Sequence, residues 1–496
     1  MNGVINLGNE WLNVQSVPQL WKELSESADF VCYEHLKNTG SVYIGYFKSL
    51  TEPEVLQRHI LGCLSSHPDI SLEDLYVLIP IAEKELATKW DDIQNKLYRG
   101  FVAIQYSGQS HPCMLVNAAA SKGRSVTMPE IEFTVEGPKE AFVESLDVNL
   151  NLIRKRVPHS DLRIKELTVG SISKSRVAVV YIHGITNEQY LNTCIQRIEG
   201  VQFDQITDST LLQQMIEDDS NSIFPQTIGT ERPDYVAWAV SSGQICVLKD
   251  GSPTAVFAPV NLWLFFITYE DYYLPWIIAS MLRLIRMFSV LFSVYASPLY
   301  VAVMTYHGQG ISNVFLPTII SSRINVPFPP VVEVLIMELV IELLREAGAR
   351  LPSKIGQTIG IVGGIVLGTA AVEAALTSNF LLIIVALSAL ASFTTPIFRM
   401  SATIRMLRFP FIFAAQIWGL LGIFICTFAL VAHLLRLTSL GMPYLVPFYP
   451  FRVSDLYDTV IRPPYSKFHH RFSFFRSSKP IRFDKNNANQ KKDIDE

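Results

Sequence analysis

Hydrophobic and polar residues are distributed differently in the two parts of the chain. Before residue 259, short apolar runs alternate with amphipathic stretches, whereas residues 275–450 hold several long apolar runs and few charged residues. A spacing of two between apolar positions predicts strands, and a spacing near 3.6 predicts helices. The pattern predicts an α/β domain of two subdomains, placed in the cytoplasm, followed by an all-α polytopic membrane domain.

Two α/β subdomains are predicted before the apolar part. The first comprises residues 1–120 and the second residues 131–259, with a linker rich in small residues between them. A helix is predicted from Asn187 to Glu199, with Asn187 as its N-cap. The predicted strands include Ser41 to Phe47, Phe101 to Tyr106, Arg163 to Val169, Arg176 to Ile182 and Tyr235 to Val240.

Residues 260–440 are predicted to form a transmembrane helical domain with about five spans. Ile311 to Pro330 is apolar but interrupted by several prolines, which favours a re-entrant or interfacial element. The apolar segments are Met287 to Thr305, the shorter Val331 to Leu344, Ile355 to Leu376, Phe380 to Thr395 and Pro410 to Leu435.

The arginines beside these segments indicate the orientation of the chain. Arg283 and Arg286 place the α/β part inside. Five crossings would put residues 441–496, a basic tail rich in Pro and Phe, on the outside, but the arginines of this tail favour the inside. A sixth crossing between residues 306 and 345 would change the parity, so both topologies stay open.

A glycine ladder occupies one side of the segment Ile355 to Leu376. Small residues allow helices to approach closely in lipid, where there is little hydrophobic force between them, so the ladder predicts helix packing. It consists of Gly356, Gly360, Gly364 and Gly368. The candidates for lining or gating a pore lie on the remaining surface and are Thr358, Val362, Ile365, Thr369 and Glu373. The alternative places Glu373 at the membrane surface and Ile365 against lipid.

Three glutamates spaced four apart form an acidic stripe on the preceding helix. These are Glu338, Glu342 and Glu346, and their spacing places them on one helix face. One interpretation is a vestibule that attracts cations. The other is a solvated helix at the membrane edge, with Arg345 and Arg350 as partners.

Composition argues against several classes of protein. The 496 residues carry a net charge of only -4, which does not favour a nucleic-acid partner. The six cysteines are scattered singly, no histidine cluster has metal-ligand spacing, and no catalytic motif occurs in a suitable context. We therefore expect no metal, no cofactor and no enzymatic activity. The amino terminus lacks the pattern of a signal peptide.

Several ordered motifs between Glu132 and Pro464 carry a family resemblance. They include Thr230-Glu-Arg-Pro-Asp, Glu270-Asp-Tyr-Tyr, Val326-Pro-Phe-Pro and Leu344-Arg-Glu-Ala-Gly-Ala-Arg-Leu-Pro. Together they resemble the GerA family of spore germination proteins, specifically the A subunit of nutrient germinant receptors. Thr369 stands where the family pattern has Gln, and Glu373 adds an acid, which puts ion selectivity and gating detail in doubt.

The resemblance implies a location in the inner membrane of a bacterial spore. It implies a receptor assembled with a B subunit and a C-subunit lipoprotein. The A subunit of this family is thought to oligomerise into a monovalent-cation channel that initiates germination. Two alternatives remain: a secondary transporter, and a non-conducting membrane scaffold for the B subunit.

Overall fold

A computed structural model describes residues 21, 24–37, 40–67, 71–106, 113–120, 129, 132, 134–310, 316–350, 364, 366 and 368–483. The chain forms two compact units. The α/β unit contains Met1–Glu217, Gly229–Pro259 and His469–Glu496. The helical unit contains Asp218–Ile228 and Val260–Phe468.

The first sheet of the α/β unit has five strands in the order β1-β2-β4-β5-β3, paired in antiparallel fashion. Helices α1 and α2 cover one face through Leu56, Ile60 and Leu75, and α3 covers the other through Ile93 and Leu97. The strands are β1 (Phe30–Lys37), β2 (Gly40–Phe47), β3 (Lys84–Ala87), β4 (Phe101–Tyr106) and β5 (Cys113–Asn117). The helices are α1 (Pro53–Val55, Leu56–Leu61 and Gly62–Ser66, with a π turn in the middle), α2 (Leu72–Leu78) and α3 (Trp90–Leu97).

The second sheet of the α/β unit also has five strands, in the order β6-β7-β9-β10-β8. Its core lies between the sheet and two helices, α4 and α7, which contribute Leu150, Ile153, Val236 and Val240. The strands are β6 (Leu162–Val169), β7 (Ser175–Ile182), β8 (Ile228–Thr230), β9 (Ile245–Lys249) and β10 (Ala255–Ala258). The helices are α4 (Leu146–Arg156), α5 (Glu188–Glu199), α6 (Ser209–Ile216) and α7 (Pro233–Ser242).

Local sequence signals explain most of these boundaries. The predicted cap is confirmed, since the Asn187 side chain accepts from the backbone N–H of Gln189 and so begins α5. The predicted strand at Tyr235 to Val240 is wrong, because these residues lie in α7. Pro233 at the first position and left-handed Gly243 at the end delimit this helix, and a short apolar run does not distinguish a helix from a strand.

Among the described residues of the helical unit, six α-helices have assigned bounds, and residues 368–373 are also helical. In the described part of the chain, α8 is the one helix long and apolar enough to cross a membrane, while α11 and α13 are apolar but shorter. The predicted single span Pro410 to Leu435 is wrong, since it is divided between two helices. The helices are α8 (Trp276–Thr305), α9 (Leu316–Arg323), α10 (Pro330–Arg350), α11 (Asn379–Ser392), α12 (Phe398–Trp418) and α13 (Leu420–Arg436).

The directions of the long described helices can be compared with that of α8. The end at which α8 begins is called the near end, and the end at which it finishes the far end. Tyr300, late in α8, lies 3.4 Å from Glu333 at the start of α10 and 3.4 Å from Ser378 just before α11. Helices α10 and α11 therefore begin towards the far end and run antiparallel to α8.

Helix α12 follows the direction of α8, and α13 returns. Tyr306, which follows α8, donates to the carbonyl oxygen of Gln416 at 2.8 Å, so α12 finishes at the far end. Gly419 has a φ of 61°, which glycine adopts readily, and joins α12 directly to α13. After α13, the Ser439 hydroxyl accepts from the backbone N–H of Val260 at 3.0 Å. The chain has then come back to the residues that precede α8.

The predicted basic tail, residues 441–496, is divided between the two units. Residues up to Phe468 pack in the helical unit. Residues 469–483, here called the strap, pack in the α/β unit, where Phe474 and Phe475 are buried. Arg471 of the strap donates to the carbonyl oxygen of Ser241 at 3.0 Å, and Arg482 donates to the Ser242 hydroxyl at 3.0 Å.

Candidate functional site

A row of paired charges runs through the helical unit along α10. Its acids, Glu333, Glu338 and Glu342, lie within nine positions of one helix, a rise of roughly 14 Å. We call this row, with its basic partners, the charged seam. The partners are Arg323 on α9, Arg345 on α10, and Arg405 and Arg408 on α12.

The centre of the charged seam is a fully buried ion pair between Glu338 and Arg408. Both side chains are about 2% exposed. The Ser297 hydroxyl donates to Glu338 Oε1 at 2.7 Å. Arg408 Nε donates to the carbonyl oxygen of Ser293 at 2.9 Å, and its Nη2 donates to the Ser293 hydroxyl at 2.8 Å. Helices α8, α10 and α12 are thus joined at one polar point inside an apolar unit.

Glu333 occupies the far end of the charged seam and is also buried. Its carboxylate lies 3.4 Å from Arg323 Nε, which ties α9 to α10. It accepts from the backbone N–H of Ser378 at 2.6 Å and from the Thr377 hydroxyl at 3.3 Å. Helix α9, which lies within the Pro-rich segment Ile311 to Pro330, is therefore held against α10. Glu333 also holds the turn that precedes α11.

Glu342 lies towards the near end and is less buried. Its carboxylate contacts Arg345 at 3.3 Å and Arg405 at 3.2 Å. Arg345 also donates to the Ser392 hydroxyl at 3.0 Å. Glu342 therefore joins α10 to α12, and Arg345 joins α10 to α11.

The charged seam contains three carboxylates and four guanidinium groups, and each acid contacts at least one arginine. Isolated buried charges are costly, and pairing with hydrogen bonds reduces that cost. Of the predicted vestibule, Glu338 is buried in an ion pair, Glu342 is partly buried between two arginines, and Glu346 is exposed. The vestibule role stays a prediction.

The glycine ladder and the pore candidates fall mostly where the chain is not described. Gly364 is exposed, and a Cβ added there would meet no described atom within 4 Å. Gly368 is buried, and its added Cβ would touch Leu382 at 3.8 Å. Thr369 and Glu373 are exposed. Outside the described residues lie Gly356, Thr358, Gly360, Val362 and Ile365.

A second ion-pair cluster lies at the near end, where the chain enters α8. Arg283 contacts Asp458 at 2.7 Å and Asp271 at 3.2 Å, and Arg286 contacts Asp271 at 3.1 Å. Burial raises the pKa of Asp271, but hydrogen bonds and charge from Arg286 and Arg283 outweigh it and leave the pKa below its usual value. The Glu270-Asp-Tyr-Tyr motif contains Asp271, but the sequence analysis predicted neither this cluster nor the part of Asp458 in it.

The outer faces of the long helices are apolar and exposed. Phe424 and Phe428 on α13 are 76% and 78% exposed, and Phe288 on α8 is 67% exposed. Soluble surfaces rarely carry large contiguous apolar patches, so these faces fit contact with lipid or with other apolar helices. Further exposed apolar residues are Ile277, Met281, Leu284, Leu339, Leu343, Ile383, Leu390, Phe413, Ile417 and Leu421.

Within the described ranges, no group of three or more His, Cys, Asp or Glu side chains is placed to hold a metal ion.

Comparisons with known proteins place this architecture in a family. The family model for the Bacillus/Clostridium GerA spore germination protein matches residues 18–474. The chain is 47% identical over 489 residues to spore germination protein GerQA of Bacillus cereus, with 98% of each chain covered. It is 33% identical over 461 residues to spore germination protein KA of Bacillus subtilis, with 91% of this chain and 84% of that protein covered.

Two further matches are to a protein named as a membrane protein and to the solved structure of an N-terminal domain. The uncharacterized membrane protein YfkQ of Bacillus subtilis is 35% identical over 427 residues, with 85% of this chain and 83% of YfkQ covered. The crystal structure of the N-terminal domain of the A subunit of the Bacillus megaterium spore germinant receptor GerK3 matches with a TM-score of 0.37 and 23% identity, over 49% of this chain and 92% of that domain. Because the family model covers most of its length, this chain belongs to the GerA family of spore germination proteins.

Proposed function

We propose that this protein is the A subunit of a spore germinant receptor and forms a monovalent-cation channel as a homo-oligomer. It spans the inner membrane of the spore several times and works with a B subunit and a C-subunit lipoprotein. The observation that carries the proposal is the inverted polarity of the helical unit. Apolar side chains face outwards on α8 and α13, while charged side chains such as Glu338 and Arg408 are paired inside.

The directions of the described helices support an even number of membrane passes. The passes are α8, α10, the segment of residues 355–376, α11, α12 and α13. An even number returns the chain to the near end. An even number would also account for the basic tail, because the segment after α13 contacts the start of α8 through Asp458 and Arg462.

The distribution of basic residues supports a cytoplasmic near end. Arg283 and Arg286 lie early in α8, Arg345 lies late in α10, and Arg405 and Arg408 lie in the first half of α12. The α/β unit is therefore cytoplasmic in this proposal.

The conduction path in this proposal lies between copies of the chain and not through the charged seam. The seam holds more guanidinium groups than carboxylates, and arginine repels cations. The exposed side of Gly364, which meets no described neighbour, leaves room for a second copy of the helix. Val362 is then the candidate for an apolar constriction that closes by dewetting.

Potassium release from dormant spores tests this proposal. Val362→Ala should release potassium without nutrient, because a smaller ring no longer excludes water. Gly364→Leu should abolish nutrient-triggered release and oligomer formation, although a Cβ added at 364 meets no described atom within 4 Å in the same chain. Wild-type protein levels in both variants are the control.

Two outcomes would favour the alternatives. Normal nutrient-triggered release in both variants would reject the pore assignment and favour a scaffold for the B subunit. Substrate-coupled counterflow in vesicles that contain the purified protein would favour a secondary transporter.

A further inference from the structure

One loop that is inserted between elements of the α/β unit packs in the helical unit. Residues 218–228 follow helix α6 and lead into strand β8, both elements of the second sheet subdomain. By its contacts, however, Asp218–Ile228 belongs with Val260–Phe468. We call these residues the coupling loop.

The coupling loop holds the near ends of helices α12 and α13. The Thr403 hydroxyl on α12 donates to the carbonyl oxygen of Ile223 at 2.5 Å. His433, in the last turn of α13, lies 2.9 Å from the Ser222 hydroxyl, and its ring packs beside Phe224 with centroids 5.9 Å apart. Both helices of the hairpin are thus attached to neighbouring residues of one loop.

The same loop also holds the β11–β12 hairpin (Thr438–Ser439 and Met442–Pro443) that follows α13. The carboxylate of Asp218 accepts from the backbone N–H groups of Leu440 at 2.8 Å and Gly441 at 3.0 Å. The Tyr444 hydroxyl donates to the carbonyl oxygen of Pro225 at 2.7 Å, and the Ser439 hydroxyl donates to that of Gln226 at 2.6 Å. The loop therefore contacts the helix hairpin and the segment after it.

The coupling loop is braced internally. Gln226 is fully buried, its Oε1 accepts from the backbone N–H of Asp219 at 2.9 Å, and its Nε2 donates to the Asp219 carbonyl oxygen at 2.7 Å. This staple connects the two stems of the loop. The bracing favours movement of the loop as one piece.

We propose that the coupling loop transmits the state of the second α/β subdomain to the α12–α13 hairpin, with Asp218 and Ser222 as positioning residues. The proposal rests on the proposed channel function and adds the route by which the gate is controlled. Coupling between distant sites requires a packed network with discrete arrangements, and the loop supplies the packed contacts.

The test uses spores that carry the full receptor with Asp218→Ala and Ser222→Ala combined. These changes remove side-chain contacts to the β11–β12 hairpin and to His433. The matched control is Asp204→Ala with Ser171→Ala, since these two residues hydrogen-bond to each other at 2.8 Å on an exposed part of the α/β unit. Both pairs are made alone and together with Val362→Ala.

If the loop couples the two parts, the Asp218/Ser222 variant accumulates normally but releases potassium at least tenfold more slowly after nutrient addition. The control pair releases potassium at the wild-type rate. With Val362→Ala, the nutrient-independent leak persists in the Asp218/Ser222 variant, because the gate is already open and needs no signal.

Two results would overturn the proposal. One is wild-type release from the Asp218/Ser222 variant. The other is loss of the Val362→Ala leak at normal protein level, which would make the loop a brace of the helices and not a transmitter. If the double variant accumulates poorly, Asp218→Asn with Ser222→Ala keeps an acceptor for the backbone N–H groups and is scored in the same way.

Failure of the channel proposal gives a different pattern. If spores with Val362→Ala and an unchanged coupling loop do not leak potassium, Val362 is rejected as a pore residue. Slowed nutrient-triggered release in the Asp218/Ser222 variant would still support the coupling loop in that case.

Discussion

Each unit buries an ion pair between an arginine and a carboxylate, but the apolar residues around the two pairs face in opposite directions. In the α/β unit, Arg154 and Asp29 are about 2% exposed and lie 2.7 Å apart, and in the helical unit Arg408 and Glu338 are equally buried. Around the first pair the apolar residues pack inwards on two sheets. Around the second, apolar residues such as Phe428 face outwards. A buried ion pair therefore does not indicate whether a unit is surrounded by water or by an apolar environment, whereas the polarity of its outer surface does.

The pair in the α/β unit connects its two sheet subdomains. Asp29 precedes β1, and Arg154 lies on α4 of the second subdomain. Burial raises the pKa of Asp29, but the charge and hydrogen bonds of Arg154, with help from Ser27 and Ser49, outweigh this effect and keep the pKa below its usual value. The carboxylate therefore stays ionised while it links the subdomains.

The largest effect is expected when one member of the buried ion pair in the helical unit is removed. Arg408→Ala leaves Glu338 buried without its cation, which costs about 3–5 kcal/mol. We expect the protein to be nearly absent from the membrane fraction. The measurement is its level by immunoblot and its unfolding temperature in detergent.

Replacing both partners gives the matching control. Glu338→Leu with Arg408→Leu removes both charges and should restore most of the protein level, because apolar packing often replaces a buried pair without loss. Arg436→Ala, at an exposed position, should have little effect. A double variant as poor as Arg408→Ala would show that the pair stabilises through more than charge balance.

The next largest effect is expected in the α/β unit, at the strap. Phe475 is fully buried there, and a buried Phe→Ala change typically costs about 3–5 kcal/mol, less where the segment detaches locally. Phe475→Ala should release the strap, so that trypsin cleaves after Arg476 much faster than in the wild type. Phe483→Ala, at a half-buried position, serves as the control. Equal cleavage rates would contradict the docking of the strap.

A smaller effect is expected where α12 and α13 cross. A Cβ at Gly422 would lie 2.0 Å from the Ala414 carbonyl oxygen, so Gly422→Ala forces the two helices apart at a cost of about 1–3 kcal/mol. The unfolding temperature in detergent should fall. Gly348→Ala on α10 is the control, as its added Cβ meets no described atom within 4 Å. An unchanged temperature for Gly422→Ala would mean that the helices do not approach this closely.

The smallest expected effect is a pH-dependent change in stability that arises from a residue of the α/β unit. Burial raises the pKa of Glu132 to about 7, against smaller lowering effects from Thr230 and Arg232. The contribution of Glu132 to stability is fully present below its unfolded pKa of 4.5 and is lost as the pH rises towards about 7. Glu132→Gln should therefore raise the unfolding temperature at pH 8 and leave it unchanged at pH 4.

The exposed Glu54→Gln is the control for this pH series. It should shift the unfolding temperature equally little at both values of pH. A Glu132→Gln protein that is less stable than the wild type at pH 8 would contradict the raised pKa.

Elements with strong local signals were predictable from the sequence. Strand Arg176 to Ile182 is rich in Val, and α5 begins at its predicted cap Asn187. Helix α7 was not predictable, because its short apolar run fits either structure and burial decides between them. The division between α12 and α13 was missed, since a glycine inside a long apolar run carries no sign that its φ is positive.

The candidate site was predictable in part. The spacing of Glu338, Glu342 and Glu346 placed them on α10, and Arg345 was a predicted partner of Glu342. The partners on α12 were not predictable, because Arg405 and Arg408 are more than sixty positions away, and only packing brings them to these acids. The same holds for Asp458, which completes the ion pairs of Arg283.

The sequence by itself determined the family, the two-part composition and most local elements of the α/β unit. These depend on residue identity and on periodicity, which are properties of neighbouring positions. The tertiary structure decided where the charges end up, that the coupling loop joins the helical unit, and that the strap joins the α/β unit. Those outcomes depend on contacts between distant segments, such as Ser222 with His433, whose free energy no local pattern records.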